Sequence, residues 1–114
     1  MTADEFRRIA LSLPEAVEIG HMGHPDFRVR KKIFATLGYP DDEHGMVKLM
    51  PEQQQLYIDR APKVFSPAKG KWGLGGSTLV HLSAAKPKDI RQAMVMAWRL
   101  IAPAALAARL DDKG

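Results

Sequence analysis

The sequence contains no cysteine, which excludes a thiol nucleophile, a thiolate-bound zinc or iron–sulfur centre and a disulfide framework. It has no uninterrupted apolar run long enough to span a bilayer. The longest, Ala93 to Ala108, is broken by Arg99 and Pro103. The first residues include Asp4 and Glu5 and lack the apolar h-region of a secretory leader. Internal repeats, low-complexity tracts and linkers are also missing. These absences predict a cytoplasmic protein with no membrane segment. What is present, 114 residues of which 46% are hydrophobic, suffices for one core, so a single domain over residues 1–114 is expected, with a radius of gyration of about 13 Å.

The net charge of +4 is modest but unevenly spread. From Arg60 to Arg99 there are eight Lys or Arg against one acid, Asp89, and Arg28 to Lys32 holds four cations in five residues. Such asymmetry makes a field that attracts polyanions, although a solvated basic face would look the same.

Local signals set the element order. Thr2 and Glu5 form a T-x-x-E capping box ahead of Phe6, Ile9, Ala10 and Leu13 at helical spacing, and Pro14 ends that helix. Ala16 to Ile19 alternates as a strand. Phe27–Val29 and Ile33–Leu37 read as a hairpin, for which parity selects a three-residue loop, Arg30-Lys31-Lys32. That loop pairs Val29 with Ile33 and Phe27 with Ala35, leaving Arg28, Phe34 and Thr36 on the opposite face. Tyr39 to Gly45, with Asp41, Asp42 and Glu43, reads as an exposed turn, and Met46 to Leu49 as a strand. Pro51 opens a short helix through Ile58 with Leu56 beside its buried side. A short extended piece, Lys63 to Phe65, a loop from Ser66 to Gly76 and a strand from Ser77 to Leu82 follow. The last long helix starts near Pro87, with Ile90, Ala93, Met94, Ala97 and Ile101 as its apolar stripe, and Pro103 kinks or ends it before an alanine-rich tail. The expected fold is α+β: a two-layer sandwich of about five antiparallel strands with helices on one side, ordered α-β3-α-β2-α.

Catalytic and cofactor motifs fail. Gly70-Lys71-Trp72 lacks the hydroxyl after Lys that a P-loop needs, and Phe65 stands where its first glycine belongs. Gly73 to Thr78 is not G-x-G-x-x-G, because Thr78 replaces the third glycine. The loop 70–76 could still present amides to a phosphate. Ser66 and Ser77 lack a nucleophile elbow. His21, His24 and Asp26 could in principle bind a metal, but the intervening Gly and Pro prevent presentation on one helical face. No metal, cofactor or catalytic activity is therefore expected. What remains is cations interleaved with aromatics: Lys69 and Lys71 beside Trp72, and Arg28 to Lys32 near Phe34 and Tyr39. Lysine and arginine take phosphates, and an exposed ring can stack on a base. Trp98, on a helix beside an apolar stripe, reads as core.

Five strings in order, Gly23-His24-Pro25-Asp26-Phe27-Arg28-Val29, Lys32-Ile33-Phe34-Ala35-Thr36-Leu37, Gly45-Met46-Val47-Lys48-Leu49, Pro51-Glu52-Gln53-Gln54 and Ala97-Trp98-Arg99, resemble the MmcQ/YjbR family, over Phe6 to Pro103. The resemblance implies a two-layer fold of the kind shared with type III secretion chaperones, and DNA binding by a double-wing arrangement. Relatives often carry Gly-Gly where this chain has Arg30-Lys31, and arginines where it has Leu74-Gly75, so charge moves from the glycine loop to the hairpin tip. The implied fold is also similar to iron-binding frataxin-like folds. The first helix, with Asp4 and Glu5 followed by Arg7 and Arg8, disfavours iron.

The expected function is DNA binding, mainly to phosphates, through Arg28, Arg30, Lys31, Lys32, Lys48, Lys69, Lys71 and Trp72. The alternative is a protein-partner or small-ligand binding module without catalysis, which an exposed apolar patch in place of a continuous basic face would favour.

Overall fold

Thr2 starts the first helix as its side chain dictates. Its hydroxyl accepts from the Glu5 amide at 3.1 Å, and the Glu5 carboxylate accepts from the Thr2 amide at 3.0 Å. The resulting helix α1 (Ala3–Leu11) buries Phe6, Ile9 and Ala10. The computed structural model describes residues 1–20 and 24–112. After α1 come β1 (Val17–Ile19), β2 (Asp26–Val29), β3 (Lys32–Leu37), β4 (His44–Lys48), α2 (Pro51–Arg60), β5 (Phe65–Pro67), α3 (Gly70–Leu74) and β6 (Ser77–His81). A 3-10 turn at Leu82–Ala84 then leads to α4 (Pro87–Ile101) and α5 (Ala104–Asp112).

The six strands among the described residues join one antiparallel sheet in the order β1-β2-β3-β4-β6-β5. The fold is α+β, as expected, with one strand more than the expected five. Both edge strands span three residues and fall at or next to the expected strand Ala16–Ile19 and the expected extended piece Lys63–Phe65. Helices α1 and α4 pack against the central strands. The core between them joins Phe6, Ile90, Met94 and Trp98 to Phe27, Val47 and Val80, each fully buried.

The hairpin departs from the parity argument. Arg30 and Lys31 both have positive φ, 51° and 70°, which makes a two-residue turn of the primed kind that matches strand twist. Val29 therefore pairs with Lys32, and the Arg30-Lys31-Lys32 loop is corrected. Register is restored by a bulge: Phe27 pairs with Ala35 but Arg28 with Ile33, so Phe34 is an extra residue on β3. As a result Phe34 and Ala35 are both buried in the core, while Ile33 and Thr36 share the opposite face. Strict period-two counting contains no bulge, and so it put Phe34 outside.

Three smaller expectations also shift. The loop Ser66 to Gly76 contains the short helix α3, and the alanine-rich tail is the helix α5. Leu56 is 48% exposed, because α2 turns Gln54 and Tyr57 inward instead.

Candidate functional site

Helices α1 and α4 cover one face of the sheet, and alternate strand residues point to the other face. β2 contributes Asp26 and Arg28 to this open face, β3 Ile33 and Thr36, β4 Met46 and Lys48, and β6 Ser77. Tyr39, from the β3–β4 connection, and Trp72, from α3, stand over it with ring centroids 6.1 Å apart and planes tilted by 59°. Together with His24, all of these groups except Arg28 line a cavity of about 400 Å³. A smaller cleft of about 300 Å³ shares Lys48, Trp72 and Ser77 with it, adds Lys71, and runs around the sheet end to Leu100 and Ile101 of α4.

Backbone constraints place Trp72 there. Gly73 lies so close to the Ala68 carbonyl that no side chain fits, and Gly76, at φ 109°, passes against the Leu49 carbonyl. The buried Gln54 amide group donates to the carbonyls of Gly73 (3.0 Å) and Ser77 (2.9 Å), tying α2 to both ends of the segment. Each carbonyl also keeps a backbone donor, Gly76 and Ala68 respectively. Gln54→Ala is therefore expected to cost only about 1–2 kcal/mol but to loosen Trp72. Acrylamide quenching should rise in the folded variant, since Trp98 is fully buried. Unchanged quenching would show that Gln54 does not position the ring.

The residues expected to bind nucleic acid fall into two groups. Lys48, Lys71 and Trp72 converge on the cleft, with Trp72 61% exposed. Lys69, also exposed, immediately precedes α3. The hairpin cations are placed differently. Arg28 is forked onto Asp26, with Nε–Oδ1 at 2.7 Å and Nη2–Oδ2 at 3.1 Å. Arg30 is forked onto Glu15 at 2.7 and 3.1 Å, where Arg109 also reaches, and these bonds hold the Glu15 carboxyl below the usual carboxylate range. Lys31 is exposed at the tip, and Lys32 pairs with core-facing Val29, so it leaves the sheet on the helix side. The register nevertheless puts the β2–β3 turn, the end of β4 and the start of β6 at one end of the sheet. The hairpin cations and Lys48 thus lie toward the same end of the sheet, with Lys32 on its helix side and Lys48 on its open face.

His21 lies outside the described residues. His24 Nδ1–H donates to the Gly38 carbonyl at 2.7 Å. The Asp41 carboxylate accepts from the Glu43 amide at 2.9 Å, within a turn. Among the described residues no three potential ligand side chains gather around a metal position. A chain that sequence reading did not anticipate links Asp41 to His44 (2.7 Å) and His44 Nε2 to His81 Nδ1 (3.2 Å) across β4 and β6. The His44 hydrogen bond, then that from the Glu43 amide, keeps the Asp41 carboxyl below its ordinary range. Sequence reading also missed Ile33, Thr36 and Met46 as cavity walls, the first two because only the bulge gives them a common face.

The family model described as YjbR matches residues 11–100. Among solved structures, Deinococcus radiodurans protein DR2400, whose family-model domain is DUF419, superposes with a TM-score of 0.75 at 16% identity, covering 96% of this chain and 88% of that one. At that identity the likeness is one of fold. No curated protein shows a significant match. Among the described residues no helix is long and apolar enough to cross a membrane.

Proposed function

The chain belongs to the YjbR family, and we propose that it is a DNA-binding protein whose contact lies on the open sheet face and its glycine loop more than on the β2–β3 turn. The observation that carries this reading is the convergence of Lys48, Lys71 and Trp72 on one cleft. Two ammonium groups there can each neutralise a phosphate, and the exposed indole in the same cleft can meet a base. Arg28 and Arg30 already have carboxylates at hydrogen-bond distance, so a phosphate would have to displace Asp26 or Glu15 to reach them. The reading assigns no catalytic step to any residue.

Binding by Lys48, Lys69 and Lys71 gives log K against log[salt] a slope of about −2 to −3, the range set by single- and double-stranded partners. Lys48→Gln with Lys71→Gln should reduce that steepness by about 1.5 to 2. Arg30→Ala should leave it nearly unchanged. Fluorescence anisotropy across a salt series, with labelled DNA, checks this. No binding at low salt, or a slope that responds to Arg30 and ignores Lys48 and Lys71, contradicts the reading.

One observation favours a second reading, docking of a protein partner. A groove of about 600 Å³ between α2 and α4 has Leu56, Val95 and Met96 along it and Arg60, Lys88 and Arg91 at its sides. An acidic amphipathic helix would match both its apolar floor and its charge. Binding of DNA that survives Leu56→Asp separates the two surfaces.

A further inference from the structure

We infer that the strand held on the open sheet face is unpaired, with one base entering the cavity beneath Trp72 and Tyr39 and its flanking phosphates on Lys48 and Lys71; this rests on the nucleic-acid reading above. A duplex presents phosphates on a convex surface and keeps its bases stacked inside, so it can touch the lysines but cannot fill a concavity. The cavity, at about 400 Å³, lies within the range that holds small organic ligands. Its walls are what a base requires. Ile33 and Met46 supply apolar contact for the ring, and the hydroxyls of Thr36 and Ser77 are short groups able to donate to or accept from a base edge.

The two aromatic rings strengthen the case for an unpaired base. Trp72 exposes 61% of its surface, an unusual state for so large an apolar side chain. Its contact with Tyr39 is tilted, not stacked, so Tyr39 does not lie flat against the indole. Stacking on an exposed aromatic is tolerant of base identity, because every base has a π-face. The cations lie where a backbone would leave such a stack. Lys48 borders both the cavity and the adjoining cleft, and Lys71 borders the cleft alone, so a strand with its base in the first can run its phosphate into the second.

The test is titration of the full chain with a short labelled DNA strand, the RNA strand of matching sequence and the corresponding DNA duplex, following tryptophan emission and anisotropy. Tighter binding of either single strand than of the duplex, with quenching of Trp72, is expected, and the two single-strand arms distinguish deoxyribose from ribose. Trp72→Ala should weaken single-strand binding about tenfold, whereas Trp72→Phe, which keeps a stacking face, should stay within about threefold. Both substitutions sit on an exposed side chain and should leave thermal unfolding almost unchanged. Duplex binding equal to or tighter than single-strand binding, or equal loss in the Ala and Phe variants, would overturn the inference while leaving DNA binding itself intact. Failure of every nucleic acid to bind would overturn both.

Discussion

Gly76→Ala should lower the stability of the chain by about 3–5 kcal/mol, at the severe end of single substitutions. Two independent penalties meet at this residue. Its φ of 109° lies where side chains are rarely tolerated, and a Cβ there would sit 1.8 Å from the Leu49 carbonyl oxygen. That oxygen is backbone at the junction of β4 and α2, so it cannot swing aside as a flexible side chain would. Gly76 also accepts hydrogen bonds from the Leu49 amide at 3.2 Å and from the Thr78 hydroxyl at 2.8 Å, and both would be disturbed. For a domain of this size the loss corresponds to a fall in midpoint of roughly 15–30 °C. Gly70→Ala is the control, since Gly70 has a comparable handedness problem at φ 63° but nothing within 4 Å of its Cβ position. It should cost only about 1–2 kcal/mol. Thermal and urea unfolding of the pair checks the account, and similar losses for both would show that the close approach to Leu49 is not the main term.

Trp98→Ala should cost about 3–5 kcal/mol, through lost burial and the cavity left behind. Trp98 is fully buried on α4, and its Nε1–H donates to the Pro14 carbonyl at 3.1 Å, fastening the helix to the turn between α1 and β1. Trp98→Phe separates the two contributions. It restores much of the volume but leaves the Pro14 carbonyl without that donor, for an expected loss of about 1–3 kcal/mol. Equal losses in the Ala and Phe variants would mean that the hydrogen bond, and not the packing, dominates.

The parts legible in the sequence are those written in local spacing. The Thr2–Glu5 cap, the stripe Ile90–Ala93–Met94–Ala97 and the inward set Thr78, Val80 and Leu82 all follow from neighbours within one or two turns or strand repeats. The sequence marks Lys48, Lys71 and Trp72 by their chemistry, but their convergence depends on β4 pairing with β6, a contact between distant segments. The bulge at Phe34 was not legible, because the extra residue shows only in the register between strands. The partners of Arg28 and Arg30 were hidden for related reasons. Glu15 reaches Arg30 across fifteen residues, and Asp26 reaches Arg28 because β2 starts at Asp26, one residue before the expected strand Phe27–Val29. Runs of like charge in sequence thus overstated the free positive charge of the hairpin.

The most direct test of where the ligand lies is a ¹H–¹⁵N shift map of the labelled chain with a short single strand of DNA. The sequence has two tryptophans, so two indole N–H signals report two environments, one exposed at Trp72 and one fastened to Pro14 at Trp98. The account predicts that the Trp72 indole moves with the amides of Thr36, Met46 and Lys48, while the Trp98 indole and the Lys31 amide stay in place. Shifts confined to Arg28 through Lys32, or to the groove between α2 and α4, would contradict it.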